Sequence, residues 1–70
     1  MEYLIVIEKT ANGFSAYSPD LPGCIATGST RRLVARNMQK AIEFHVDGLR
    51  KAGASLPEPN SYPAYVKIPA

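Results

Sequence analysis

Two prolines and two glycines, Pro19, Pro22, Gly23 and Gly28, fall within the single stretch from Tyr17 to Thr30. They constrain the fold more than any other feature of the chain. A proline fixes its own φ and lacks an N–H, so neither Pro19 nor Pro22 can sit in a central ladder. Pro22-Gly23 has the composition of a type II turn, with proline at the first corner and glycine supplying the positive φ of the second. A chain leaving a strand at Tyr17 must bend here and begin another at Cys24. Pro19, Asp20, Pro22, Gly23, Cys24 and Gly28 are read first as a structural corner; the other reading is a docking edge.

A chain of 70 residues is expected to form one domain over residues 1–70. A domain of that size buries only about 60% of its unfolded surface and usually needs disulfides, a metal or a partner subunit. Cys24 is the only cysteine, which excludes an intrachain disulfide. With His45, the only histidine, it falls short of the four ligands of a structural zinc site. No metal or cofactor is expected, and self-association remains, as a homodimer or a higher homo-oligomer. The lone cysteine and the missing signal peptide point to the cytoplasm. Tyr3-Leu4-Ile5-Val6-Ile7 is apolar but stops at Glu8-Lys9. No stretch approaches the roughly 20 apolar residues of a membrane span. A net charge of +2 is too small to imply nucleic-acid binding.

Glu2 to Glu8 reads as a strand, rich in β-branched residues and apolar on both faces, hence an interior strand. Asn12-Gly13 signals a hairpin, returning through a second strand, Phe14 to Ser18. Cys24 to Gly28 is a third strand, with Cys24, Ala26 and Gly28 on one face and Ile25 and Thr27 on the other. Ser29 or Thr30 can cap a helix from Arg31 to Lys51. In it Val34, Met38, Ala41, Ile42, His45 and Leu49 form an apolar stripe, and Gly53 is its stop. Asp47 with Lys51, and Lys40 with Glu43, are favourable neighbours on the polar face. Leu56 to Asn60 is an extended connector. Tyr62 to Ile68 is a last strand, confined by Pro63 and Pro69 to an edge or a short ladder. The fold class is α+β, β-β-β-α-β, with one long helix on one face of an antiparallel-rich sheet.

Several segments resemble the HicB antitoxin family. They are Val6-Ile7-Glu8-Lys9, Gly13-Phe14, Ala16-Tyr17, Pro19-Asp20-Leu21-Pro22-Gly23-Cys24 and Thr27-Gly28-Ser29-Thr30, then Ala41 to Leu49 and Leu56-Pro57-Glu58-Pro59. The resemblance runs from about Tyr3 to Pro59. It implies a partial, degenerate ribonuclease H-like fold. It also implies a protein-binding role: neutralising a small, HicA-like toxin that cleaves messenger RNA. Many family members carry a C-terminal DNA-binding domain. The sequence stops at Ala70, so the expectation is a short form without that domain. Arg31-Arg32 stands where the family tends to have acidic residues, at the positive end of the helix dipole.

No enzyme is expected. The carboxylates Glu2, Glu8, Asp20, Glu43, Asp47 and Glu58 do not form the converging cluster that metal-dependent RNA cleavage needs. His45 is expected to be buried and hydrogen-bonded, and Cys24 to be a packed residue. Partner contacts are assigned to the cations Arg32, Arg36, Lys40 and Arg50, against the alternative of a solvated face. Tyr62, Tyr65, Val66 and Ile68 form an apolar edge that invites another chain. Besides a toxin-binding module, two functions stay open: a freestanding homo-oligomer of structural or regulatory role, and a weak nucleic-acid binder using the basic helix face. A neighbouring reading frame for a tiny basic protein favours the first. Steeply salt-dependent nucleic-acid affinity favours the last.

Overall fold

The computed structural model describes residues 1–70. Strands β1 (Val6–Lys9), β2 (Phe14–Tyr17) and β3 (Ile25–Gly28) precede a single helix, α1 (Arg31–Lys51). The sheet is antiparallel in the order β1-β2-β3. Ala16 pairs with Ile7 on one side and Ala26 on the other. The helix covers the face carrying Ala16 and Ala26.

The proline-rich connection folds as two turns in series. Leu21 N–H donates to Ser18 O at 3.2 Å and Cys24 N–H donates to Leu21 O at 3.1 Å. Pro19 and Pro22 each occupy the first corner of their turn, and Gly23 has φ +82°, as a type II turn requires. The residue shared by the two turns, Leu21, is driven into the core beside Ala16, Cys24, Val34 and Met38. Burial of side chains the size of Leu21 and Met38 contributes about 1.5–3 kcal/mol each. Ser18 is the one buried polar residue, and its Oγ has no hydrogen-bond partner.

The helix is bounded by local chemistry. Thr30 is its N-cap, accepting from Leu33 N–H at 3.0 Å. At the other end Gly53 N–H donates to Arg50 O and Ala54 N–H to Leu49 O, with Gly53 at φ +72°. That is the paired bonding of a Schellman stop. Val34 and Met38 are fully buried, and Ala41 and Ile42 pack against the same core. Beyond them the helix overhangs: its 21 residues span about 31 Å, whereas a four-residue strand covers only about 13 Å. His45 and Leu49 lie in the overhang and are only half-buried.

Four sequence expectations need correction. β1 is an edge strand, not an interior one, and it starts at Val6; residues 1–5 continue beyond the ladder, with Tyr3 and Ile5 turned onto the core. The hairpin forms, but Gly13 does not have the positive φ of an Asn-Gly turn. Its glycine is needed because a Cβ would lie 2.6 Å from Gly28 O. Tyr62 to Ile68 makes no ladder with this chain's own sheet. Pro63 and Pro69 remove donors at both ends, and the segment leaves the domain from the β2–β3 corner. His45 is only partly buried and has no hydrogen-bond partner, because no strand lies beneath that part of the helix.

At Gly28 an added Cβ would meet the Val34 N at 2.6 Å and its Cα at 2.8 Å, whereas Gly48 has open space around it. Gly28→Ala is therefore expected to cost about 1–3 kcal/mol through forced displacement of the helix. Gly48→Ala should stabilise by about 0.5–1 kcal/mol through helix propensity. Urea unfolding followed by circular dichroism should move the two midpoints in opposite directions.

Candidate partner-binding surfaces

The helix presents the strongest concentration of charge. Arg32, Arg36 and Lys40 are spaced four residues apart, so they form one row about 12 Å long on the face turned away from the sheet. All three are exposed and none is in an ion pair. The ion pair that does form is Lys51 Nζ with Asp47 Oδ2 at 3.0 Å. The expected Lys40–Glu43 pair does not form; Glu43 instead accepts a long hydrogen bond from Gln39 Nε2 at 3.5 Å. Arg50, grouped with the row from sequence, lies about 15 Å along the axis from Lys40. Glu43 and Asp47 intervene, so the basic patch is the row of three.

The corner residues have a second task that sequence reading missed. Asp20, expected to stand alone at the turn, accepts from both Ser61 N–H (3.0 Å, Oδ2) and Ser61 Oγ (3.1 Å, Oδ1). Tyr3 Oη donates to Pro57 O at 2.6 Å. These contacts clamp the connector across one end of the sheet. An aspartate at a turn is so common that composition gives no hint of a partner 41 residues away.

Past that clamp the chain is an arm. Tyr62, Tyr65, Val66 and Ile68 are 76–95% exposed. Between residues 1–5, ahead of β1, and one flank of the helix lies a groove of about 770 Å³. Its floor is formed by Tyr3, Ile5, Ala35, Ile42 and Val46, and its rim carries Glu2, Glu43, Asp47 and Arg50. Asn37 Nδ2, on the opposite flank of the helix, donates to Thr27 O at 2.8 Å and holds that flank over β3.

No three of the His, Cys, Asp and Glu side chains converge closely enough to hold a metal ion. Cys24 is buried, and desolvation pushes its thiol above the ordinary value. No helix is long and apolar enough to cross a membrane.

Two outcomes follow. Asp20→Ala should free the arm's root: Ser61 amide exchange should rise by on the order of tenfold, for about 1.5 kcal/mol of lost bonding to a charged group, with α1 helicity unchanged. Cys24 favours its neutral form in the fold, so that contribution to stability is complete below the unfolded thiol's pKa and fades as pH rises through the folded value. Thiol labelling should accordingly be slow in buffer and fast in urea.

The comparisons with known proteins agree with this architecture. A family model described as HicB_like antitoxin of bacterial toxin-antitoxin system matches residues 3–70. A protein of Haemophilus phage HP1, described as an uncharacterized 14.9 kDa protein in the rep-hol intergenic region, is 36% identical over 69 residues, covering 99% of this chain and 52% of its own length. This chain thus spans about half of that relative. A UPF0150 protein of Helicobacter pylori is 38% identical over 64 residues, covering 90% of this chain and 89% of its own. Among solved structures, a chain of the HicA3 and HicB3 toxin-antitoxin complex matches with a TM-score of 0.74 at 38% identity, covering 87% of this chain and 71% of that one. The antitoxin HicB3 crystal structure matches with a TM-score of 0.72, also at 38% identity, over 87% of this chain and 45% of that one.

Proposed function

The chain belongs to the HicB-like antitoxin family of bacterial toxin–antitoxin systems, and we propose that it binds a small, HicA-like, RNA-cleaving toxin and neutralises it by covering its active surface. Family membership and the likeness to a chain of a toxin–antitoxin complex support an antitoxin role. They also indicate a regulatory protein rather than an enzyme. The observation that carries the reading is the match of nearly the whole fold to a HicB3 chain seen with HicA3. The site of action is the cytoplasm, where messenger RNA is cleaved.

The charged part of the contact is the row Arg32, Arg36 and Lys40. A toxin that grips RNA must itself present cations to phosphates. A cationic row would be repelled by that face, so it would have to pair with acidic groups outside it, while apolar surface occludes the face itself. Such exposed pairs contribute about 0.2–1 kcal/mol each and mainly set orientation and association rate.

The test is reconstitution with the neighbouring toxin. An equimolar amount of this chain should suppress RNA cleavage and co-elute with the toxin as one complex. Separate elution with undiminished cleavage would sink the reading. Reversing Arg32, Arg36 and Lys40 to glutamate should weaken the complex by roughly 3- to 150-fold, as three such pairs sum to about 0.6–3 kcal/mol. The loss should shrink as salt is raised. Steeply salt-dependent binding of this chain to RNA without toxin would instead identify the row as a phosphate contact.

A further inference from the structure

We infer that Phe44, with Gly48 one turn beyond it, is the apolar centre of the toxin contact. The phenyl ring enters an apolar depression on the toxin, and the bare backbone at Gly48 lets the wall of that depression close against the helix. This rests on the antitoxin reading and adds to it the residues that anchor the partner.

Three observations carry it. First, Phe44 is 83% exposed on the helix. A lone apolar side chain at a surface is ordinary, so exposure by itself decides nothing; the neighbouring position does. Second, Gly48 lies inside α1, where glycine is a poorer helix former than almost any other residue. Its φ is not positive, and a Cβ there would meet nothing within 4 Å. The other four of the five glycines are accounted for within the chain. Gly23 and Gly53 take positive φ, and at Gly13 and Gly28 an added Cβ would lie 2.6 Å from a backbone atom. Gly48 is the one that this fold does not require. Residues four apart on a helix are surface neighbours, with Cβ positions about 5–6 Å apart. The unburied ring and the unneeded glycine therefore adjoin, as a knob beside a notch.

Third, the charges around the knob suit a partner with both signs. The spacing of Arg32, Arg36 and Lys40 runs on unbroken through Phe44 to Gly48. Along the exposed side of the helix these cations occupy the N-terminal half, and Glu43 and Asp47 follow them. Phe44 borders both halves, four residues after Lys40 and three before Asp47. Lys51 offsets the charge of Asp47 at 3.0 Å, whereas Glu43 has only the long 3.5 Å contact from Gln39 and keeps its charge free. A toxin that grips RNA carries cations on its RNA-binding face, and these suit the carboxylate half. Acidic groups outside that face suit the cation row. Both pairings are met at once only when the toxin lies across Phe44. Anchors of this kind sit near the centre of an interface, ringed by polar contacts that keep water out.

The experiment measures association and dissociation rates of the neighbouring toxin on the full chain and on two variants, Phe44→Ala and Gly48→Gln. Both positions are exposed and both changes raise helix propensity, so the variants should keep the parent's helical signal. The urea midpoint of Gly48→Gln should rise. Phe44→Ala is expected to weaken the complex by roughly 30-fold or more, as loss of a central anchor does. The loss should lie in faster dissociation and change little with salt, unlike the loss from the cation row. Gly48→Gln should weaken binding by roughly tenfold although the chain itself is more stable, because its side chain fills the notch. A parent chain that fails to bind the toxin would sink the antitoxin reading and this inference with it. A parent that binds and neutralises, beside either variant binding as tightly, would overturn the inference alone. So would a variant whose free chain sediments at a mass different from the parent's, which would give Phe44 to a contact between copies.

Discussion

The contact on which the fold rests is between two backbones. The end of β3 at Gly28 lies so close to the first turn of α1 that a single added carbon would overlap Val34 N and Cα. Gly13 crowds against the carbonyl of the same residue. Three segments therefore meet without side chains between them, and the helix is set down tightly onto the sheet at its N-terminal end. Val34 and Met38 reach the core only because of this approach. Thr30 caps the helix just two residues after Gly28, so the direction of α1 is decided where the spacing is closest.

That placement leaves the far end of the helix without a sheet beneath it. The buried core is only five side chains, drawn from β2, the corner and the first half of the helix, too few to stabilise a chain of this size comfortably alone. Leu21 is one of them, and it arrives from the corner through two consecutive turns. Along the other half of the helix an extended N-terminal segment faces it across a groove, and a clamped connector crosses the end of the sheet where a further ladder would lie. Asp20 and Tyr3 supply that clamp through three hydrogen bonds. Each joins residues more than 40 apart in sequence, so the clamp can form only after the sheet and helix are in place.

Features governed by a residue's own backbone limits could be read from the sequence. Pro22-Gly23 admits few conformations, and it adopted the expected one. Thr30 and Gly53 ended the helix where capping chemistry predicts, and the alternation from Cys24 to Gly28 assigned the correct faces. Features that depend on what lies across space could not be read. Gly13 looked like a turn glycine but answers to steric pressure from another strand. β1 looked interior because apolar residues on both faces suit burial on both sides, yet it stands at the edge of the sheet with only β2 beside it. His45 fell on the right stripe, but stripe membership does not reveal where the sheet stops. Arg50 shares the polar side with Arg32, Arg36 and Lys40, yet the acids between them divide the charge into separate regions.

The same reasoning separates the two kinds of partner. A strand added at the open edge of β1 would use backbone groups, which any strand can satisfy, so its specificity would have to come from its side chains. Charge contacts along the helix work differently: they act at a distance, weaken with salt and choose a partner by sign. The row of cations stands on the helix face turned away from the sheet, whereas the groove lies along the flank that faces residues 1–5. A charged partner on the row and an apolar one in the groove would therefore meet different faces of the same helix.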